Sequence, residues 1–218
     1  MSLIKGLCAL SCVLGLAGCA NNPPTPDWQM NARDSLQRAV EAYLSGQPKV
    51  ESAEFARVRA EIARTGQADL LARAELVRCA TRVASLVFES CQGFDRLAVD
   101  AAMPERAYAA YLGGQLKPTD VALLAAPHRA LASPGAATGA LQDVADPLAR
   151  LVAAGVLLRN GVADPLVIKT AINTASAQGW RRPLLAWLGV QLQRAELSGD
   201  AAEAARIRRR IDVVGEAR

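Results

Sequence analysis

Residues 183–211, PLLAWLGVQLQRAELSGDAAEAARIRRRI, decide the fold class. Apolar side chains recur every three or four residues on both sides of Ser198-Gly199-Asp200, which is the spacing of one buried helix face. Pro183 suits the first turn of a helix, where no amide hydrogen is needed, and the glycine favours a turn between two helices. The stretch therefore predicts an antiparallel pair of helices.

Within this pair, Ala195, the Gly199-Asp200 turn and Ala204 resemble the middle of a tetratricopeptide-repeat hairpin. The match is partial. Trp187 stands one residue away from the position of the repeat's large aromatic, Arg208 replaces the aromatic of the second helix, and the closing proline is absent. The resemblance implies helical hairpins that stack on one another.

The rest of the chain carries the same pattern. Half of its residues are apolar but only 4% are aromatic, a balance that favours closely packed helices over sheets. We expect an all-α fold of antiparallel helical hairpins, packed as a bundle or a short solenoid of about eight helices. The helix that starts near Asp69 bears two apolar stripes, one through Ala74 and one through Leu76, and is predicted to lie at the centre.

Two further stretches bear on the helix boundaries. The sequence Val-Ala-Asp-Pro-Leu occurs at 144–148 and again at 162–166, and each aspartate is predicted to cap a helix that begins at the following proline. Pro118 is predicted to open one short helix that continues to Leu131. Ser133-Pro134-Gly135 then separates an N-terminal helical half, 28–132, from a C-terminal helical half, 136–218, which we expect to form one continuous domain.

The N-terminus has the features of an export signal. Lys5 precedes an apolar core from Leu7 to Ala17, which is too short to span a bilayer. The stretch Leu16-Ala17-Gly18-Cys19 resembles the lipobox of bacterial lipoproteins, and the alternative is an ordinary signal peptide that contains a cysteine. Residues 1–18 are then a signal peptide that is removed, and 19–27 are a lipidated cysteine with a proline-rich linker.

The lipoprotein resemblance implies an anchor and a location. Cys19 would receive a diacylglyceryl group and become the acylated first residue, and two or more acyl chains hold a protein stably on a membrane. Ala20 stands where inner-membrane lipoproteins carry aspartate, which implies sorting to the outer membrane, with the domain facing the periplasm. Surface display is the other orientation.

Of the five cysteines, Cys8 and Cys12 leave with the signal and Cys19 is lipidated, so Cys79 and Cys91 remain. Cysteines in an oxidising compartment usually pair, and the alternative is two free buried thiols. A continuous helix would hold their Cα atoms ~18 Å apart, but a disulfide requires about 6 Å. A bridge therefore predicts that the helix ends well before Cys91 and the chain turns back.

The charges are spread along the chain and give a net charge of +4, without the concentrated patch of a nucleic-acid binder. The densest basic cluster is Arg206, Arg208, Arg209 and Arg210. We expect a solvated helix face here, and the alternative is a contact patch for anionic lipid head groups or an acidic partner.

The sequence contains no catalytic motif, and we expect no cofactor and no metal site. His128 is the only histidine, which excludes a multi-histidine metal site, and it is predicted to lie on a helix surface or to pack. Because helical-hairpin lipoproteins serve as adaptors, assembly factors or pilotins, this class resemblance implies a protein-binding adaptor or assembly factor of the cell envelope. The alternatives are an envelope-acting enzyme or small-ligand binder, and a purely structural lipoprotein.

Overall fold

The computed structural model describes residues 24–133 and 138–216. All regular secondary structure in these residues is helical, which confirms the all-α class. The described residues form two 3₁₀-helices, Pro118–Leu123 and Thr138–Asp143, and ten α-helices, more than the eight expected. The α-helices are α1 (Asp27–Leu44), α2 (Pro48–Ala63), α3 (Ala68–Ala84), α4 (Gln92–Asp95), α5 (Met103–Leu112), α6 (Ala126–Ala132), α7 (Pro147–Arg159), α8 (Pro165–Ala177), α9 (Arg181–Leu197) and α10 (Ala201–Glu216).

The prediction of one helix from Pro118 to Leu131 is wrong. The stretch from Pro118 to Leu131 is divided into a 3₁₀-helix and α6, because Leu124 and Ala125 have extended backbone. The ring of Pro127 would clash with the carbonyl group four residues earlier if one helix ran through the whole stretch. The chain therefore restarts its helix at Ala126, one residue before the proline.

The central position predicted for α3 is confirmed, since this helix contacts α1, α2, α4, α5 and α7. One of its stripes, at Ala74, joins a small cluster with Phe55 and Val58 of α2. The other stripe, at Leu76 and Val83, belongs to the main core. Helices distant in sequence also pack together, such as α3 on α7 and α1 on α9, so the arrangement is a bundle and not a solenoid of nearest neighbours.

The interfaces among α1, α2 and α3 bury charge. Three buried glutamates are paired with arginines across or along these helices: Glu51 with Arg78 and Arg82, Glu54 with Arg38 and Arg57, and Glu75 with Arg59. The Glu51 pairs join the start of α2 to the end of α3, so these two helices are antiparallel. Because the three-residue connection 45–47 makes α1 antiparallel to α2 as well, α1 and α3 run in the same direction.

The helices α7, α8 and α9 form an apolar layer, which packs on α3 mainly through α7. α7 crosses α3 at Gly155, where a Cβ atom would collide with the backbone carbonyl oxygen of Val83. Trp187 of α9 is completely buried, and its Nε1 donates a hydrogen bond to the carbonyl oxygen of Ala84 at 3.2 Å. The only interior glycine of α7 therefore sets how closely the apolar layer approaches α3.

Both predicted aspartate caps are confirmed. The Asp146 carboxylate accepts from the backbone N–H of Ala149 at 2.6 Å, and the Asp164 carboxylate accepts from that of Val167 at 2.8 Å. Asp164 also accepts a hydrogen bond from the Thr138 hydroxyl, which ties the start of α8 to the second 3₁₀-helix. The repeated Asp-Pro pairs thus mark the starts of two packed helices.

The main core includes residues from both predicted halves, for example Tyr111 and Leu131 from the first, and Leu141 and Leu151 from the second. Two residues of the predicted boundary, Pro134 and Gly135, lie outside the described residues. The described helices on its two sides share one hydrophobic core.

Candidate functional site

The predicted lipid-attachment residue, Cys19, lies outside the described residues, together with the rest of the predicted signal peptide. The two other predicted cysteines are joined: Cys79 and Cys91 form a disulfide with Cα atoms 5.8 Å apart. As the bridge requires, α3 ends at Ala84 and the chain turns back. The turn is made by Leu86, whose φ is +59°, a left-handed backbone conformation uncommon outside glycine.

The segment closed by this disulfide borders a cleft of about 300 Å³, which we call the disulfide cleft. The end of α3 and the chain from 87 to 91 form one wall, and the ends of α5 and α7 form the other. Its lining residues are Cys79, Arg82, Val83, Val87, Phe88, Glu89, Ser90, Cys91, Asp95, Ala109, Leu112, Gly113, Gln115 and Arg159.

An aromatic ring and a guanidinium group form part of the rim of the disulfide cleft. Phe88 is 39% exposed, and the guanidinium carbon of Arg159 lies 5.4 Å from its ring centre. Arg159 also donates to the carbonyl oxygen of Leu112 at 3.3 Å, so it caps the end of α5. A cation over an aromatic face holds both groups in place while leaving them accessible.

Arg82 connects the disulfide cleft to the charged interior. Its guanidinium donates to Glu51 at 3.2 Å, lies 3.4 Å from Glu89 on the rim, and stacks on the ring of Tyr43 at 4.5 Å. Burial acts to raise the pKa of Glu51, but hydrogen bonding and charge from Arg78 and Arg82 outweigh it, so this pKa is lowered. Glu51 is therefore ionised at neutral pH and holds Arg82 against the cleft wall.

Two of the four arginines in the α10 cluster are paired with neighbouring carboxylates. Arg206 donates from Nε and Nη2 to Glu203 at 2.7 and 2.6 Å, and Arg208 is paired with Glu196. These hydrogen bonds lower the pKa of Glu203. The structure does not bring this cluster to the disulfide cleft, and the pairing favours the interpretation as a solvated face.

His128 packs in the interior. Its ring packs against both Tyr108 and Tyr111, at centroid distances of 5.3 and 5.1 Å, and the two tyrosine rings also stack on each other at 6.1 Å. Burial lowers its pKa to about 4, opposed in part by the charge of Asp146, so the imidazole is neutral at pH 7. Its Nδ1 atom has no hydrogen-bond partner among the described residues. Of the two predicted roles, packing is the one observed.

Sequence reasoning did not single out Arg82, Phe88 or Arg159 as functional residues. A signal for the rim was present, because Val87-Phe88 is an apolar pair between two cysteines and beyond the end of a predicted helix stripe. Arg159 carries no such signal. It reaches Phe88 only through the packing of α7 on α3.

These features define an all-α bundle with a disulfide-bounded cleft at one end. In 24–133 and 138–216, no three His, Cys, Asp or Glu side chains are grouped so that they could hold a metal ion. No helix within these ranges is long and apolar enough to cross a membrane. Comparison of the chain with protein-family models, with curated proteins and with solved structures finds no match.

Proposed function

We propose that this protein is a lipid-anchored adaptor of the cell envelope that binds another protein at the rim of the disulfide cleft. The observation that carries the proposal is the rim itself, where Phe88 and Val87 are exposed beside Arg159. Aromatic and arginine side chains supply most of the binding energy of protein interfaces, particularly next to pockets. The disulfide restrains the segment that presents them, which lowers the entropy lost on binding.

The direction of the helices supports an arrangement in which the cleft faces away from the membrane. With Cys19 lipidated, only seven residues separate the anchor from the start of α1 at Asp27. α3 runs in the same direction as α1, and the cleft lies at the C-terminal end of α3. At 1.5 Å per residue, α3 alone separates its two ends by roughly 25 Å. The rim is thus directed towards the periplasm.

The binding proposal is tested by crosslinking in intact cells followed by affinity capture of the lipidated protein. We expect one envelope protein to be captured in stoichiometric amount, and Phe88→Ser to reduce its recovery about tenfold or more, as for a central interface residue. Met30→Ser is the matched control, because Met30 is similarly exposed (47%) but lies in the first turns of α1, at the opposite end. Equal recovery with both variants would exclude the rim as the binding surface.

The anchor is tested separately with Cys19→Ser. The wild-type protein is expected in the membrane fraction. The Cys19→Ser variant is expected in the soluble periplasmic fraction, because a protein without acyl chains has no hydrophobic attachment to the bilayer. A variant that still sediments with membranes contradicts lipidation as the anchor. Recovery of the wild-type protein from inner membranes would contradict the sorting to the outer membrane that Ala20 implies.

The second candidate is a small-ligand binder or enzyme, and the cleft volume is the observation that favours it. About 300 Å³ is at the lower end of the range of small-molecule sites. Absence of any captured protein, with retention of a small molecule by the purified chain, is the result that favours this candidate over the adaptor.

A further inference from the structure

The Cys79–Cys91 disulfide is accessible from the disulfide cleft. Both cysteines line the cleft and both are only half-buried, whereas the residues next to Cys79 in the core, such as Ala80 and Val83, are buried. Attack on a disulfide requires that a thiolate approach one of its sulfur atoms. The open cleft provides that approach while the bundle stays folded.

The part of the closed segment that lies beyond α3 has few other attachments. Residues 87–90 are exposed, and three contacts hold them: the Val87 N–H donates to the Arg82 carbonyl oxygen at 2.9 Å, Glu89 lies 3.4 Å from Arg82, and Phe88 stacks on Arg159. Segments with exposed backbone and few buried contacts open locally at low free-energy cost. The disulfide is therefore the main restraint on the rim.

The charges in the cleft are balanced. Arg82 and Arg159 offset Glu89 and Asp95, the two carboxylates that line the same space. A thiolate that enters the cleft is thus not repelled by a net negative charge, and a thiolate that leaves Cys79 has Arg82 one helical turn away. Cationic neighbours favour the thiolate form of a cysteine.

We propose that the Cys79–Cys91 disulfide is a site of thiol–disulfide exchange with a dithiol, and that the exchange releases the rim of the cleft. One thiolate of the dithiol bonds to either sulfur, the Cys79–Cys91 bond breaks, and the other cysteine leaves as a thiolate that takes a proton. The second thiol of the dithiol then displaces the first cysteine, which leaves two protein thiols and an oxidised dithiol. Two electrons and two protons pass from the dithiol to the protein.

The experiment treats the purified full chain with dithiothreitol in native buffer and quenches samples with a maleimide. Trypsin cuts after Arg78, Arg82 and Arg96, which places Cys79 on peptide 79–82 and Cys91 on peptide 83–96. We expect both peptides to be alkylated at a rate proportional to the dithiothreitol concentration. Reduction at a rate that is independent of dithiol and equal to the rate of global unfolding overturns the proposal, as does resistance to reduction without denaturant.

Hydrogen exchange of the reduced protein provides the second readout. Loss of amide protection is expected across 85–95, with protection of α7, α8 and α9 unchanged. The double variant Cys79→Ser/Cys91→Ser is expected to reproduce this pattern without any reductant. If reduction also removes protection from α7 to α9, the disulfide is a staple of the whole fold and the proposal is wrong. Neither readout requires a binding partner. Failure of the thiol–disulfide exchange proposal can therefore be distinguished from failure of the adaptor proposal.

Discussion

The layer formed by α1, α2 and α3 and the layer formed by α7, α8 and α9 have the same helical architecture but bury different chemistry. The first layer has three glutamates in its interior, each paired with arginine. In the second layer, the buried side chains of the described helices are apolar apart from Thr174. Burying ion pairs costs desolvation, and removing one partner costs more than the pair contributes. The stability of the first layer should therefore depend on pH, and the stability of the second should depend on how well its apolar side chains pack.

The largest effect is expected from the apolar layer. Trp187→Ala should destabilise the protein by about 3–5 kcal/mol, because it empties a fully buried site and removes the hydrogen bond to Ala84. Urea unfolding is the measurement. The loss should be the same at low and high salt, and a loss that shrinks markedly with added salt would mean that electrostatics dominate this layer too.

The layer formed by α1, α2 and α3, which we call the charged layer, is tested at Glu51. Glu51→Gln should cost about 2 kcal/mol at pH 7, because it leaves Arg78 and Arg82 without their buried anion. The lowered pKa of Glu51 means that its contribution is present above the unfolded value of 4.5 and is lost as the pH falls through the folded value. The parent protein and Glu51→Gln should therefore have the same stability at pH values below the folded pKa of Glu51. The control is Glu61→Gln at the exposed Arg64 pair, which should change stability by roughly 0.5 kcal/mol or less.

His128 gives the apolar core one pH-dependent element of its own. Its folded pKa of about 4 is below the unfolded value of 6.5, so the unfolded chain binds more protons between these values and stability falls as the pH decreases through this window. We expect the parent protein to lose about 2 kcal/mol more than His128→Phe between pH 7.5 and pH 5. Parallel stability curves for the two proteins over that range would show that the imidazole is not desolvated.

The smallest effects concern the two helix caps that begin the apolar layer. Asp146→Ala and Asp164→Ala should each cost about 1 kcal/mol, as is usual for an aspartate cap. Asp164→Ala should cost the more of the two, because Thr138 loses its acceptor as well. Thermal unfolding of both variants compares them directly. The reverse order would mean that the Thr138 contact does not contribute to stability.

The sequence predicts the apolar layer well, and the reason is local. Helical spacing and the Asp-Pro caps both depend on residues a few positions apart. The predicted pairing of Cys79 and Cys91 also agrees with the structure, in which α3 ends at Ala84 and the chain turns back, as a bridge across 12 residues requires. The prediction of a single helix after Pro118 was wrong, because Pro127 interrupts the helix although the apolar spacing continues through it.

The charged layer and the cleft were not predictable in the same way. Glutamates such as Glu75 occur at helix positions that usually face solvent, and their burial is decided by arginines 16 to 31 residues away in sequence. The turn at Leu86 has no glycine or proline to mark it. Arg159 and Phe88 meet only because α7 crosses α3 at Gly155. These features arise from tertiary packing and leave no periodic signal.

Site-specific photocrosslinking in living cells tests whether the rim of the disulfide cleft binds another envelope protein. A photoreactive residue is placed at position 88 on the rim of the disulfide cleft and, in a second strain, at position 30 at the start of α1. We predict a discrete crosslinked envelope protein from position 88 and none of the same mass from position 30. The same crosslinked product from both positions, or no product from position 88, would contradict the proposal that the cleft rim is the binding surface.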